Sequence, residues 1–208
     1  MKKPKPTLKF FNRLIKLILV ALSVGLIIAY FISPENWSKP ASYIVTIPLV
    51  FGMDILKFFG LGLSDRFETA YLLFLIPAMV LGINFDWYKT VYLFGEPCFD
   101  KVAHALSGVL SAFAAKEILD KAYDGLELTT KGDSHIKTRR YNRAFMLLFL
   151  VATVALIAVL WEIFEFSYDQ ITGGSMQQLI APGVDDTMWD LIAALGCGFV
   201  VSIPLSKK

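Results

Sequence analysis

Apolar positions in this chain run in long unbroken blocks separated by short polar stretches. They do not alternate with period two, as a half-buried strand would, nor form the one-sided stripe of a soluble helix. A helix crossing the ~30 Å hydrocarbon core needs about 20 mostly apolar residues. Six stretches approach that length: about Leu14–Ile32, Tyr43–Leu61, Phe67–Phe85, Lys101–Leu119, Ala144–Phe166 and Thr187–Leu205. The second is interrupted by Asp54 and Lys57, which are close enough on one helix to neutralise each other, and Pro48 is placed to kink it. The third carries Pro77, and the fourth holds His104, Lys116 and Glu117. The pattern predicts an all-α polytopic bundle of about six membrane helices, as one integral membrane domain over residues 1–208.

Composition agrees with the pattern. Apolar residues make up 56% of the chain and charged residues 18%, and mean hydropathy is +0.58. A soluble domain carries about 25% charge. The net charge of +2 gives no electrostatic footprint for nucleic acid, and no nucleic-acid partner is expected. Cys98 and Cys197 are too few for a disulfide framework, and Cys197 lies about two helical turns inside Asp190. The basic start (Lys2, Lys3, Lys5, Lys9, Arg13, Lys16) resembles that of a signal peptide. The apolar block after it is too long for such a leader, and no small-x-small cleavage site precedes Pro34, so a retained helix is expected.

Lys and Arg set the expected orientation. With the N-terminus inside, 17 of the 20 fall on the cytoplasmic side, and only Lys39, Lys89 and Lys101 fall outside. The loop Asp120–Asn142 is basic, and its His135 lies among residues suited to lipid phosphate contact. Both termini are then cytoplasmic, in a multi-pass membrane protein.

On that topology three separated acidic segments share one depth at the outer face. They are Phe99-Asp100-Lys101-Val102-Ala103-His104, Trp161-Glu162-Ile163-Phe164-Glu165 and Asp185-Asp186-Thr187-Met188-Trp189-Asp190. A charged residue at the centre of a spanning helix costs ~2.5–3.5 kcal/mol on insertion scales, so these groups should face one another inside the bundle. Asp100 and His104 are four apart, as are Asp186 and Asp190; Glu162 and Glu165 are three apart. Each pair therefore projects from one helix face. Asp100, His104, Glu162, Glu165, Asp186 and Asp190 form a candidate divalent-metal set, with Mg²⁺, Mn²⁺ or Zn²⁺ admissible, and Glu162 and Asp190 are the candidate catalytic carboxylates. Three other accounts stay open: shared protons, compensation by Lys101 and Lys89, and plain helix capping by Asp100 and Asp186.

Trp37, Trp87, Trp161 and Trp189 map to the outer half with Tyr88 and Tyr92, as in an interfacial aromatic belt. Ser167–Asp185, with Gly173-Gly174 and Pro182-Gly183, reads as an outer connector that could also act as a lid.

Leu81-Gly82 through Tyr88, Phe99-Asp100-Lys101-x-x-His104-x-x-Ser107-Gly108, Trp161-Glu162-x-x-Glu165 and Asp186-Thr187-x-Trp189-Asp190 together resemble the YjdF-like family of bacterial inner-membrane proteins. The resemblance covers about Leu81 to Gly198 and implies the architecture and the position of the site, without a reaction. A weaker likeness links the chain to VanZ-like membrane proteins, associated with glycopeptide resistance, which commonly carry Asn where this chain has Asp190. The chain has no Pro-Ser-Gly-His segment and no Asp-Gly-x-x-Ala-Arg run, which speaks against two classes of intramembrane lipid enzyme. Two function classes remain. One is a metal-assisted enzyme acting on a lipid or cell-envelope headgroup; the other is a non-enzymatic proton or cation carrier, or an envelope permeability or resistance factor. Membrane lipids are the expected partners of either.

The topology is testable by labelling. With Cys98 removed, a cysteine in the Asp120–Asn142 loop should resist membrane-impermeant thiol reagents in intact cells, while one near Gly173 should react. The reverse pattern would place the acidic cluster at the cytoplasmic face.

Overall fold

The computed structural model describes residues 6–33, 40–85, 87–93, 96–130, 142–173, 176 and 183–207. In chain order the elements are α1 (Pro6–Ile32), α2 (Pro40–Val50), α3 (Gly52–Phe58), α4 (Asp65–Leu75), a π-helical segment (Ile76–Asn84), α5 (Trp87–Thr90), the strands β1 (Tyr92–Leu93) and β2 (Glu96–Pro97), α6 (Phe99–Thr130), α7 (Arg143–Thr172) and α8 (Gly183–Leu205). The strands form one short antiparallel pair. The chain divides into two compact units, residues 1–100 and 101–208. Of the expected loop Asp120–Asn142, residues 120–130 are instead helical in α6; residues 131–141 with His135, and Trp37, lie outside the described residues.

Among the described residues, five helical stretches are long and apolar enough to cross a membrane: Thr7–Ile32, Asp65–Ile83, Phe99–Tyr123, Arg143–Thr172 and Val184–Leu205. The expected span Tyr43–Leu61 is instead two shorter helices, α2 and α3, that break at Phe51. The cause is local. Pro48 cannot donate to the ladder, Phe51 closes a tighter bond to its carbonyl at 3.2 Å, and the Tyr71 hydroxyl donates to Leu49 O at 2.7 Å. Burial is inverted relative to a soluble protein. Leu17, Phe31, Leu148 and Val200 are exposed, whereas Asn12, Ser23, Thr46 and Ser202 are buried. Apolar faces turned outward and small polar residues turned inward are the arrangement a lipid solvent selects.

In the first unit α1, α3 and α4 meet at a polar knot. Lys16 Nζ lies 2.5 Å from Asp54 Oδ2 and 2.5 Å from Glu68 Oε1. Asn12 donates to Asp65 O at 3.0 Å and accepts from the Thr69 hydroxyl at 2.6 Å. Asp54 therefore pairs with Lys16 across two helices, not with Lys57 as its spacing suggested, because the break at Phe51 re-aims α3 towards α1. Farther along, the Tyr88 hydroxyl donates to Ala78 O at 2.8 Å, bonding a carbonyl of the wide turn that begins beside Pro77.

In the second unit burial recurs every four residues. Met146, Leu150, Val154, Ala158 and Glu162 are buried along α7, and Asp190, Ala194, Gly198 and Ser202 along α8, with Ser206 just past its end. The stripe of α8 is made of short side chains, which lets neighbouring backbones approach closely. A Cβ on Gly108 of α6 would run into the Ala194 carbonyl, and one on Gly198 would meet Val154. Away from the acidic end the unit closes on an apolar cluster of Ala115, Leu119, Met146 and Leu150, flanked by Phe149 and Leu205. Asn142 caps α7 through Ala144 N at 2.9 Å, and Gly173 ends it in the left-handed region at φ 65°. The expected connector from Ser167 is thus helical as far as Thr172.

Gly108→Ala should cost about 1–3 kcal/mol in thermal unfolding in detergent, because its methyl has no room. Gly196→Ala should be neutral or slightly stabilising, since nothing lies near that position. Equal effects at the two sites would contradict the close approach of α6 and α8.

Candidate functional site

The four-residue stripes that pack the second unit also deliver its charged groups. His104 sits one turn before Gly108 on α6, and Asp190 one turn before Ala194 on α8, so the tight Gly108–Ala194 contact draws the two together. Glu162 ends the buried stripe of α7. His104, Glu162, Glu165 and Asp190 are all buried, and Asp190 is only 1% exposed.

The geometry is compact. His104 Nδ1 lies 3.6 Å from Glu162 Oε1, and Nε2 lies 3.8 Å from Asp190 Oδ1. One donor atom each from His104, Glu162 and Glu165 falls within 4.8 Å of the others, a grouping that could hold a metal ion. Lys101 Nζ lies 2.5 Å from Asp186 Oδ1 and 2.7 Å from Asp190 Oδ1. The Trp161 indole N–H donates to Glu165 Oε1 at 2.7 Å and orients that carboxylate. Among the described residues of this unit, four carboxylates therefore gather with one ammonium and one imidazole. Such a gathering needs further positive charge or protons if it is to stay inside an apolar bundle.

Asp100, the last residue of the first unit, is buried on α6 one turn before His104. It lies within the first turn of α6, as Asp186 does in α8, so each sits past the position that would cap its helix. Asp186 is held by Lys101. Lys89, the other cation considered for compensation, is an exposed residue of α5. Two roles escaped the sequence. Trp161, read as part of an interfacial belt, orients Glu165, and their i,i+4 spacing was the available signal. The small residues at 194, 198 and 108, which set how closely the helices approach, carried no chemical signature of their own.

Two serines of the unit are turned to local backbone. Ser107 donates to His104 O at 2.8 Å, and Ser202 donates to Gly198 O at 2.7 Å. With the apolar cluster of Ala115, Leu119, Met146 and Leu150 farther along, the buried acids and His104 gather at one end of the unit.

The chain belongs to the family described as "Predicted membrane protein (DUF2238)", whose profile matches residues 12–207. No curated protein and no solved structure matches it.

Lys101 and Asp190 should be energetically coupled. Lys101→Met leaves a buried carboxylate without its ammonium and should cost about 3 kcal/mol, the low end for a broken buried pair because Lys101 is partly exposed. Adding Asp190→Asn should recover at least half of that loss in a double-mutant cycle measured by unfolding in chelator. Additive losses would show that the pair does not interact.

Proposed function

Starting from membership of that membrane-protein family, we propose that the chain is a metal-assisted enzyme acting on a lipid or cell-envelope headgroup. His104, Glu162 and Glu165 are its metal-holding residues, with Asp190 beside them. One observation carries the reading: donors of those three residues lie within 4.8 Å of one another, among four carboxylates and one ammonium. The spacing between His104 and Glu162, 3.6 Å, exceeds the ~3.0 Å of an N–H to oxygen hydrogen bond. It is close to the ~3.4 Å that separates two ligands each ~2.1 Å from a shared tetrahedral ion. Oxygen and imidazole donors without thiolate suit Mg²⁺, Mn²⁺ or Zn²⁺. The order of motifs supports a place among YjdF-like proteins of bacterial inner membranes, and the Lys and Arg distribution supports a site facing the outer leaflet.

A bound divalent ion would supply Lewis acidity and an activated water. Of the chain's own groups, Trp161 fixes Glu165, His104 lies between Glu162 and Asp190, and Lys101 holds Asp190 through the same oxygen that faces the imidazole. Glu162 and Asp190 are the carboxylates placed to accept a proton. A carrier would need polar groups continuing along the helices. The apolar cluster at 115, 119, 146 and 150, and the serines bonded to their own helices, favour a one-sided site over a path.

Protein purified without chelator should contain stoichiometric divalent metal and melt higher with it than after chelation. Affinity should fall on acidification, because protons compete for the same donors. His104→Ala and Glu165→Ala should each lower bound metal at least tenfold. With bacterial polar lipids as substrate, mass spectrometry should detect a metal-dependent change of headgroup, slowed ~10²–10⁴-fold by Glu162→Gln. Metal-free protein whose melting ignores added divalent ions would overturn the metal site. Metal-loaded protein inert towards lipid and envelope headgroups would overturn the enzyme while leaving the site.

A further inference from the structure

Asp186 and Asp190 stand one turn apart on α8, and Lys101 Nζ bridges them at 2.5 and 2.7 Å. In two-metal centres the ions lie about 3.5–4 Å apart and are clamped between acidic side chains of facing helices; here two carboxylates close in the same way on one small cation. Asp190 Oδ1 also faces His104 Nε2 at 3.8 Å. The same oxygen therefore addresses both the ammonium and the imidazole that would hold the ion. An ammonium is a compact point charge that interacts with carboxylate oxygens much as a bound ion would.

We infer that Lys101 occupies the second cation position, so the centre takes one divalent ion instead of two. The inference rests on the metal reading of the preceding section and sharpens it. Lys101 supplies a fixed positive charge beside the ion, but its three protons cannot activate a second water. Chemistry at this centre is thus restricted to the single-ion class, with the ammonium available to an anionic oxygen of the substrate. Lys101 is the natural group to meet such an oxygen, since its side chain is 31% exposed while Asp190 is 1% exposed.

The test counts ions. Purified protein is loaded with Mn²⁺ in detergent, free metal is removed, and stoichiometry is read by elemental analysis and electron paramagnetic resonance. Wild type should hold one Mn²⁺ per chain with the spectrum of an isolated ion. Lys101→Ala, which removes the charge and leaves room, should hold two with the signature of a spin-coupled pair; Lys101→Arg should stay at one. Asp186→Asn in the otherwise wild-type chain should keep one ion at an affinity within about threefold, because Asp186 belongs to Lys101. That variant decides the question if Lys101→Ala does not fold. Two ions in wild type, one in folded Lys101→Ala, or loss of the ion in Asp186→Asn would overturn the assignment while leaving a metal site in place. No Mn²⁺ in wild type would overturn the metal reading itself.

Discussion

A carboxylate inside an apolar helix bundle cannot remain ionised alone, and Asp190 brings that constraint to the centre of the second unit. Its side chain is 1% exposed on a helix whose outward positions, such as Ile192 and Val200, are exposed and apolar. An unpaired buried charge costs several kcal/mol, so the fold must bring a cation to it. Lys101 does so from α6, and it can reach only because Gly108 lets α6 press against the backbone of α8 at Ala194. The small residues and the charges are two parts of one solution. Short side chains set the helix separation, and that separation sets which donors can share a cation.

The two units treat buried charge differently. In the first, Lys16 sits between Asp54 and Glu68, with Asn12 and Thr69 completing the hydrogen bonding. That knot ties α1, α3 and α4 together and nearly balances its charge. In the second, one ammonium meets two carboxylates and two more stand beside the imidazole of His104, which adds a donor atom without fixed charge. The surplus of negative charge distinguishes a group of donors from a structural lock. The apolar cluster at Ala115, Leu119, Met146 and Leu150 confines that surplus to one end of the unit.

Much of this was legible in the sequence because it depends on local spacing. Long apolar blocks mark the membrane helices, and the pairs 100/104, 162/165 and 186/190 announce shared faces through helical periodicity alone. What stayed hidden depends on contacts between distant segments. Lys16 read as one more basic residue of the N-terminal end, and its partnership with Asp54 and Glu68 needs α1, α3 and α4 to be assembled first. Asp54 was matched to Lys57 for the same reason, since spacing offers only local partners. Pro48 signalled a bend, but whether the helix would bend or stop depended on Tyr71, twenty-two residues away from the carbonyl it bonds. The break therefore turned an expected sixth span into two short helices.

The central claim is that a buried imidazole and its neighbouring carboxylates hold a divalent ion at one end of the second unit. Nitrogen modulation in the electron spin echo of Mn²⁺-loaded protein tests it most directly, because the chain contains only two histidines. The account predicts coupling to a single imidazole nitrogen that persists in His135→Ala and vanishes in His104→Ala. A spectrum without nitrogen coupling, or one whose coupling follows His135, would contradict it.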